Sequence, residues 1–218
     1  MSQMIDAIES NFEGHEAVRQ LALHTPKWGD NHPEAGQMMV KVQRFILGEV
    51  AKLPNPNNVV NRNWEQRVLP VTVQVQLGMG TAATPNGRKA NEPLSEGCGP
   101  QQGHDTKGPT ALLNSVAQFE PRDSKHWCSP LFNVKLSPGS LKGETGTRKL
   151  MAFLRSYCDL RIWHIQFNVI NRATLLAAQK DPEKYRDLIV RVAGYSTFFA
   201  EMDKAAQDEI IARTEHEM

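Results

Sequence analysis

The chain has little of several things that would narrow its role quickly. Its 218 residues include three cysteines, Cys98, Cys128 and Cys158. These form neither a C-x-x-C pair nor an even disulfide set, so reduced, mostly structural thiols are expected. No cysteine or histidine cluster has ligand spacing, and no metal site is expected. Charge is almost balanced, 25 Lys and Arg against 24 Asp and Glu, which gives no electrostatic reason for nucleic acid or an anionic membrane as a partner. No apolar run reaches the ~18 residues that mark a membrane-crossing helix. The start, Met1-Ser2-Gln3-Met4-Ile5-Asp6, lacks the basic and apolar regions of a signal peptide. A cytoplasmic protein with no nucleic-acid or membrane association is the expectation.

What is present is a mixed α/β pattern, long enough for one sizeable core or two small ones. Residues 1–24 read as helical, with a break near Gly14. A second helix from Gln37 carries Met39, Val42, Ile46, Val50 and Leu53 on one face, and stops before Pro54-Asn55-Pro56. Leu69–Leu77 alternates valine with threonine and glutamine, which predicts a strand whose polar side meets either solvent or a cavity. Residues 78–110 are dense in Gly, Pro, Asn and Asp, with little regular structure expected. A short helix at Ala111–Ala117 follows, then a strand at 130–136, a helix at 147–157 and a strand at 162–170. A helix begins near Asn171, Asp181-Pro182 reads as another helix start, a strand covers 187–193, and a last helix runs from about Asp203 to Arg213.

The 187–193 strand drives up to a single glycine: Asp187-Leu188-Ile189-Val190-Arg191-Val192-Ala193-Gly194-Tyr195-Ser196-Thr197-Phe198-Phe199. On pattern alone this is a buried strand, a tight turn at Gly194 and a second extended piece, with a structural turn glycine as its plain reading. The flanks say more. Arg191-Val192-Ala193-Gly194-Tyr195-Ser196, with Gln207-Asp208-Glu209-Ile210-Ile211-Ala212-Arg213-Thr214 behind it, resembles the C-terminal signature of glycyl radical enzymes. That superfamily holds pyruvate formate-lyase and its dehydratase, decarboxylase and arylsuccinate synthase relatives. Thr84-Pro85-Asn86-Gly87-Arg88-Lys89-Ala90 and Gly103-His104-Asp105-Thr106-Lys107-Gly108-Pro109-Thr110-Ala111 resemble a long loop of the same family, so 78–110 is read as a folded, functional loop and not a linker. Cys98 and Gly99 depart from it, standing where many relatives have an aliphatic residue and a serine.

The resemblance implies that Gly194 is oxidised to a stable backbone radical. Glycine suits this because a Cα radical is stabilised when the amide nitrogen donates into a nearly planar Cα and the carbonyl withdraws from it. A side chain would crowd that plane. Arg191, Ala193, Tyr195 and Ser196 become candidate neighbours of the radical. His164, in His164-Ile165-Gln166-Phe167-Asn168, also matches a family segment and is a candidate for the cavity or the radical loop. Val73, Val75 and Leu131 are candidate walls of a substrate cavity on position. The implied fold is the C-terminal portion of an α/β barrel, residues 1–85 belonging to the pyruvate formate-lyase-like barrel and 86–218 to a glycine radical domain, with Gly194 on a buried loop. The chain itself is expected to bind no cofactor. A radical S-adenosylmethionine activating enzyme would install the radical, and a small organic substrate would be turned over.

One part of the family pattern is missing. The cysteine loop that receives the radical lies far upstream in family members, and nothing here resembles it. Cys98 sits in the glycine-rich loop, Cys128 in Trp127-Cys128-Ser129 and Cys158 at a helix end, and none fits the role. An incomplete barrel leaves unpaired strand edges and an apolar face, which implies a larger partner chain bearing that cysteine. Two alternatives stand beside this subunit reading: a spare-part protein that repairs an oxygen-cleaved enzyme, and an inactive truncated remnant.

Overall fold

The computed structural model describes residues 1–59, 62–64, 73–119 and 131–218. Helices α1 (Ser2–Glu9), α2 (Glu16–Leu23) and α3 (Pro33–Val50) come first, then α4 (Val73–Met79) and α5 (Pro109–Phe119). Strand β1 (Asn133–Leu136), α6 (Gly143–Asp159), β2 (Gln166–Val169) and α7 (Arg172–Lys180) follow. The chain ends with β3 (Ile189–Arg191), β4 (Ser196–Phe198), α8 (Lys204–Ala212) and β5 (Glu215–His216). Local chemistry explains several starts. Asn171 caps α7 by accepting from the Thr174 amide at 2.7 Å, and Asp203 caps α8 by accepting from Ala206 at 2.9 Å.

β1 lies between β2 and β5, parallel to both, and β3 pairs antiparallel with β4 as a separate hairpin. Pleating gives the three-stranded sheet two unlike faces. Val134, Leu136 and Phe167 turn toward α5 and α6, where Leu112, Leu113, Val116 and Phe153 complete one core. Phe153 and Phe167 meet edge to face with centroids 6.2 Å apart. The register pairs Asn133 with Gln166 and Lys135 with Asn168, which puts these four polar residues together on the opposite face. A second core gathers Leu175 and Ala178 of α7, Val190, Val192 and Ala193 of the hairpin, Phe199, and Ile210 and Ile211 of α8.

Three expectations need correction. Of the strand expected at 69–77, positions 69–72 lie outside the described residues, and the rest is helical: Val73–Met79 is α4. Tertiary packing overrides the two-residue alternation, since Gly78 sits so close to the 78–110 loop that a Cβ there would run into Glu92 O. Helix α3 exists but buries Gly36, Gln43 and Leu47, leaving Val42 and Ile46 exposed. Contact with α5 selects that face: a Cβ at Gly36 would run into the side chain of Gln118. Finally, Gly194 is exposed and not on a buried loop, because among the described residues only the inner side of the hairpin is covered, through Val190, Val192 and Ala193.

Candidate functional site

Gly194 stands at the tip of the β3–β4 hairpin, after the last paired residues, Arg191 and Ser196. Its φ of +78° is a conformation that costs a residue with a Cβ. Crowding does not impose glycine here, since an added Cβ would meet just Leu131 Cδ1, at an ordinary 3.6 Å. Backbone conformation and an open outer face set this position apart.

The polar sheet face holds the hairpin from beneath. Asn168 pairs with the Arg191 main chain like a neighbouring strand: its Oδ1 accepts from Arg191 N at 2.7 Å and its Nδ2 donates to Arg191 O at 2.6 Å. Gln166 Oε1 accepts from Arg191 Nε and, at 3.3 Å, from the Gly194 amide itself. Asn133 Nδ2 donates to Val192 O at 3.1 Å and to Glu96 Oε1. Arg191 NH1 spans the hairpin to Ser196 Oγ at 3.3 Å.

A buried ionic group locks the other side. Arg213, at the end of α8, donates to Val192 O at 2.9 Å and to both Glu209 oxygens at 2.8–3.2 Å. Glu96, from the glycine-rich loop, lies 3.9 Å from the same guanidinium. Burial pushes the Glu96 carboxyl up to about 7, with Arg213 working against the rise and Glu209 adding to it. Burial opposes the Arg213 charge as well, but Glu96 and Glu209 hold it above its ordinary value. Lys135, donating to Ile211 O at 3.2 Å, is brought down by burial to about 8. Asp105 ties the loop to the final strand through His216 Nε2 at 2.8 Å and the Thr214 hydroxyl. Burial works to raise its carboxyl, but these two hydrogen bonds, together with attraction to His216 and a backbone hydrogen bond, keep it below the usual range. The 78–110 loop that supplies Glu96 and Asp105 is folded around Arg88, which donates to Lys89 O at 3.0 Å and Glu92 O at 2.7 Å.

The sequence candidates fall into two groups. Arg191, Ala193, Tyr195 and Ser196 all belong to the hairpin around Gly194. Val75 and Tyr195 line one groove of about 440 Å³ with Met79, Thr197 and Met202, and Leu131 packs under Gly194. Val73 starts α4, is 41% exposed, and is not part of that lining. His164 accepts from the Phe132 amide at 3.2 Å through Nδ1. Burial, with the Arg191 charge adding to it, lowers its pKa, and the contact ties the ring to the chain entering β1. Gln166, Asn168, Asn133, Glu96, Glu209 and Arg213 were not singled out from sequence. For Asn133, Gln166 and Asn168 the signal is polar side chains alternating along strands otherwise built to be buried, whereas Glu96 in the loop and Glu209 and Arg213 on α8 carry no such pattern.

Two family models match this chain: residues 94–200 match "Glycine radical" and residues 1–78 match "Pyruvate formate lyase-like". The isethionate sulfite-lyase of Bilophila wadsworthia (strain 3_1_6) is 43% identical over 217 residues, covering 100% of this chain and 26% of that protein. The chain belongs to the glycyl radical enzyme family. The trans-4-hydroxy-L-proline dehydratase of Clostridioides difficile is 38% identical, over 99% of this chain and 27% of its own length. The glycerol-bound B12-independent glycerol dehydratase from Clostridium butyricum superposes with a TM-score of 0.91 at 41% identity, over 100% of this chain and 27% of that one. The chain thus spans about a quarter of the length of these relatives and matches the C-terminal portion of the family's structures. Among the described residues, no helix is long and apolar enough to cross a membrane.

Proposed function

We propose that Gly194 stores an organic radical that drives a lyase or dehydratase reaction completed by residues outside this chain. The observation that carries this is Gly194 itself: left-handed, exposed at a hairpin tip, and hydrogen-bonded through its amide from below. An activating enzyme would supply a carbon-centred radical from S-adenosylmethionine. That radical takes one α-hydrogen atom from Gly194, forming a C–H bond of its own while the Gly194 C–H bond breaks and the unpaired electron remains on Cα. The open outer face gives such a partner access.

In turnover, a cysteine thiol on a larger chain would give its hydrogen atom to Gly194, and the resulting thiyl would take one from a small organic substrate. Hydrogen returns along the same route after carbon–heteroatom or carbon–carbon bond chemistry. Similarity to a sulfite-lyase at 43% and to a glycerol dehydratase structure at 41% supports elimination of a group from a small polar substrate. The match over residues 1–78 favours a subunit over a spare part, since a spare part needs little more than the glycine segment.

Anaerobic activation of the chain together with a cysteine-loop chain tests this by electron paramagnetic resonance. A doublet from the one remaining α-hydrogen is expected, and none with Gly194→Ala. Air should then cleave the chain at Gly194, releasing a peptide that begins near Tyr195. An unchanged doublet in Gly194→Ala would overturn the assignment.

A further inference from the structure

Gln166 does something its neighbours do not. Asn168 already fixes the hairpin's register through both main-chain groups of Arg191, so a second register clip is redundant. Gln166 is 7% exposed and commits its oxygen to Arg191 Nε and to the Gly194 N–H. Its Nε2 is buried and meets no acceptor among the described residues. A buried amide that leaves one end unmatched is unfavourable, and a core-filling apolar residue of that size would avoid the loss. The bond that compensates is the one from the oxygen end, and it is aimed at the glycine.

We propose that Gln166 is a positioning residue for the Gly194 radical, its carbonyl oxygen fixing the orientation of the Gly194 amide. This rests on Gly194 being the radical site. The chemical reason is overlap. Nitrogen stabilises an adjacent Cα radical only while its lone pair lies parallel to the half-filled orbital on a flattened Cα. An acceptor on the N–H stops the peptide plane from rotating as Cα flattens. It also makes the nitrogen a stronger donor. No proton is transferred: the hydrogen bond is made before and after the hydrogen atom leaves Cα.

Three variants separate this from a general structural role. Gln166→Met fills similar space without an acceptor, Gln166→Asn keeps a carboxamide that falls short of Gly194, and Gln166→Glu keeps the acceptor within reach. In the unactivated chain, amide–water exchange read by nuclear magnetic resonance should be about five-fold faster at Gly194 in the Met and Asn variants. It should be unchanged in Gln166→Glu, and unchanged at Arg191 in all three. In the activated complex with 15N-labelled glycine, the nitrogen coupling of the radical should shift in the Met and Asn variants and be restored in Gln166→Glu. Either folded variant is sufficient. Wild-type exchange at Gly194 in both Met and Asn variants, or an unaltered nitrogen coupling, overturns the proposal. Absence of a radical in the wild type would instead remove the radical-site reading, with the exchange experiment still reporting on Gln166.

Discussion

Replacing Glu96 by glutamine should remove a pH dependence that this single buried carboxyl imposes on folding. Glu96 bonds Asn133 through one oxygen and lies 3.9 Å from Arg213 through the other, and glutamine can keep the first contact. Raising the carboxyl from its ordinary 4.5 to about 7 makes its ionisation in the folded chain cost about 3 kcal/mol. The sign follows from proton counting. Below pH 4.5 both folded and unfolded chains hold the proton and the stabilisation is complete. Between 4.5 and 7 the unfolded chain releases its proton first, so stability falls as pH rises, and above about 7 the loss is complete. Urea unfolding of wild type and Glu96→Gln at steps from pH 4.5 to 8 reads the difference directly, because titrations common to both cancel. The variant should gain about 3 kcal/mol on the wild type across that window. A constant gap, or one that narrows with pH, would mean that attraction to Arg213 outweighs burial and would refute the reasoning.

Arg213→Met should cost about 3–5 kcal/mol in the same assay, because it strands Glu209 and Glu96 in a buried site without their cation. Adding Glu209→Gln should recover part of that loss, and a single-variant cost below 1 kcal/mol would show the guanidinium to be dispensable. Alanine at Cys98, Cys128 or Cys158 singly should leave spin yield intact after anaerobic activation, since the hydrogen-relaying thiol is proposed to lie on another chain. Cys98→Ala that keeps the radical but eliminates turnover would show this chain to hold its own thiyl site.

Much of the hairpin was legible because two independent signals coincide there. A β-branched run ending at Gly194 predicts strand and turn, and the observed strands at 189–191 and 196–198 lie where that pattern ends and resumes. The α8 helix lies where the sequence placed it, and its start is local chemistry, the Asp203 cap. Val73–Met79 was not legible, because Val73-Gln74-Val75-Gln76-Leu77 alternates apolar with polar residues and carries no helical period. The long-range approach of Gly78 to Glu92 decides that segment. On α3, apolar spacing located a helix and placed Met39 against the core, but it put Val42 and Ile46 on the inner stripe although they are exposed. Which stripe is buried depends on the small residue Gly36, which lets α5 come close. The exposure of Gly194 was out of reach for a related reason: an apolar flank says that some surface is covered, not whether the cover lies in the same chain.

Parallel sheets are ordinarily covered by apolar side chains on both faces, and here one face is Asn133, Lys135, Gln166 and Asn168. Each of these residues reaches main chain beyond the sheet. Asn133 reaches Val192 O, Lys135 the end of α8, Gln166 the Gly194 N–H and Asn168 both groups of Arg191. Side-chain amides thus do for the hairpin what a fourth strand would do, but without extending the ladder to the glycine. A backbone ladder would tie up Gly194 on both its N–H and C=O and bury it within a sheet. Amide side chains reach the hairpin from one side only. They hold Arg191 and Val192 firmly, touch Gly194 among the described residues through its nitrogen alone, and leave the residue exposed, as the proposed hydrogen-atom transfer at its α-carbon requires.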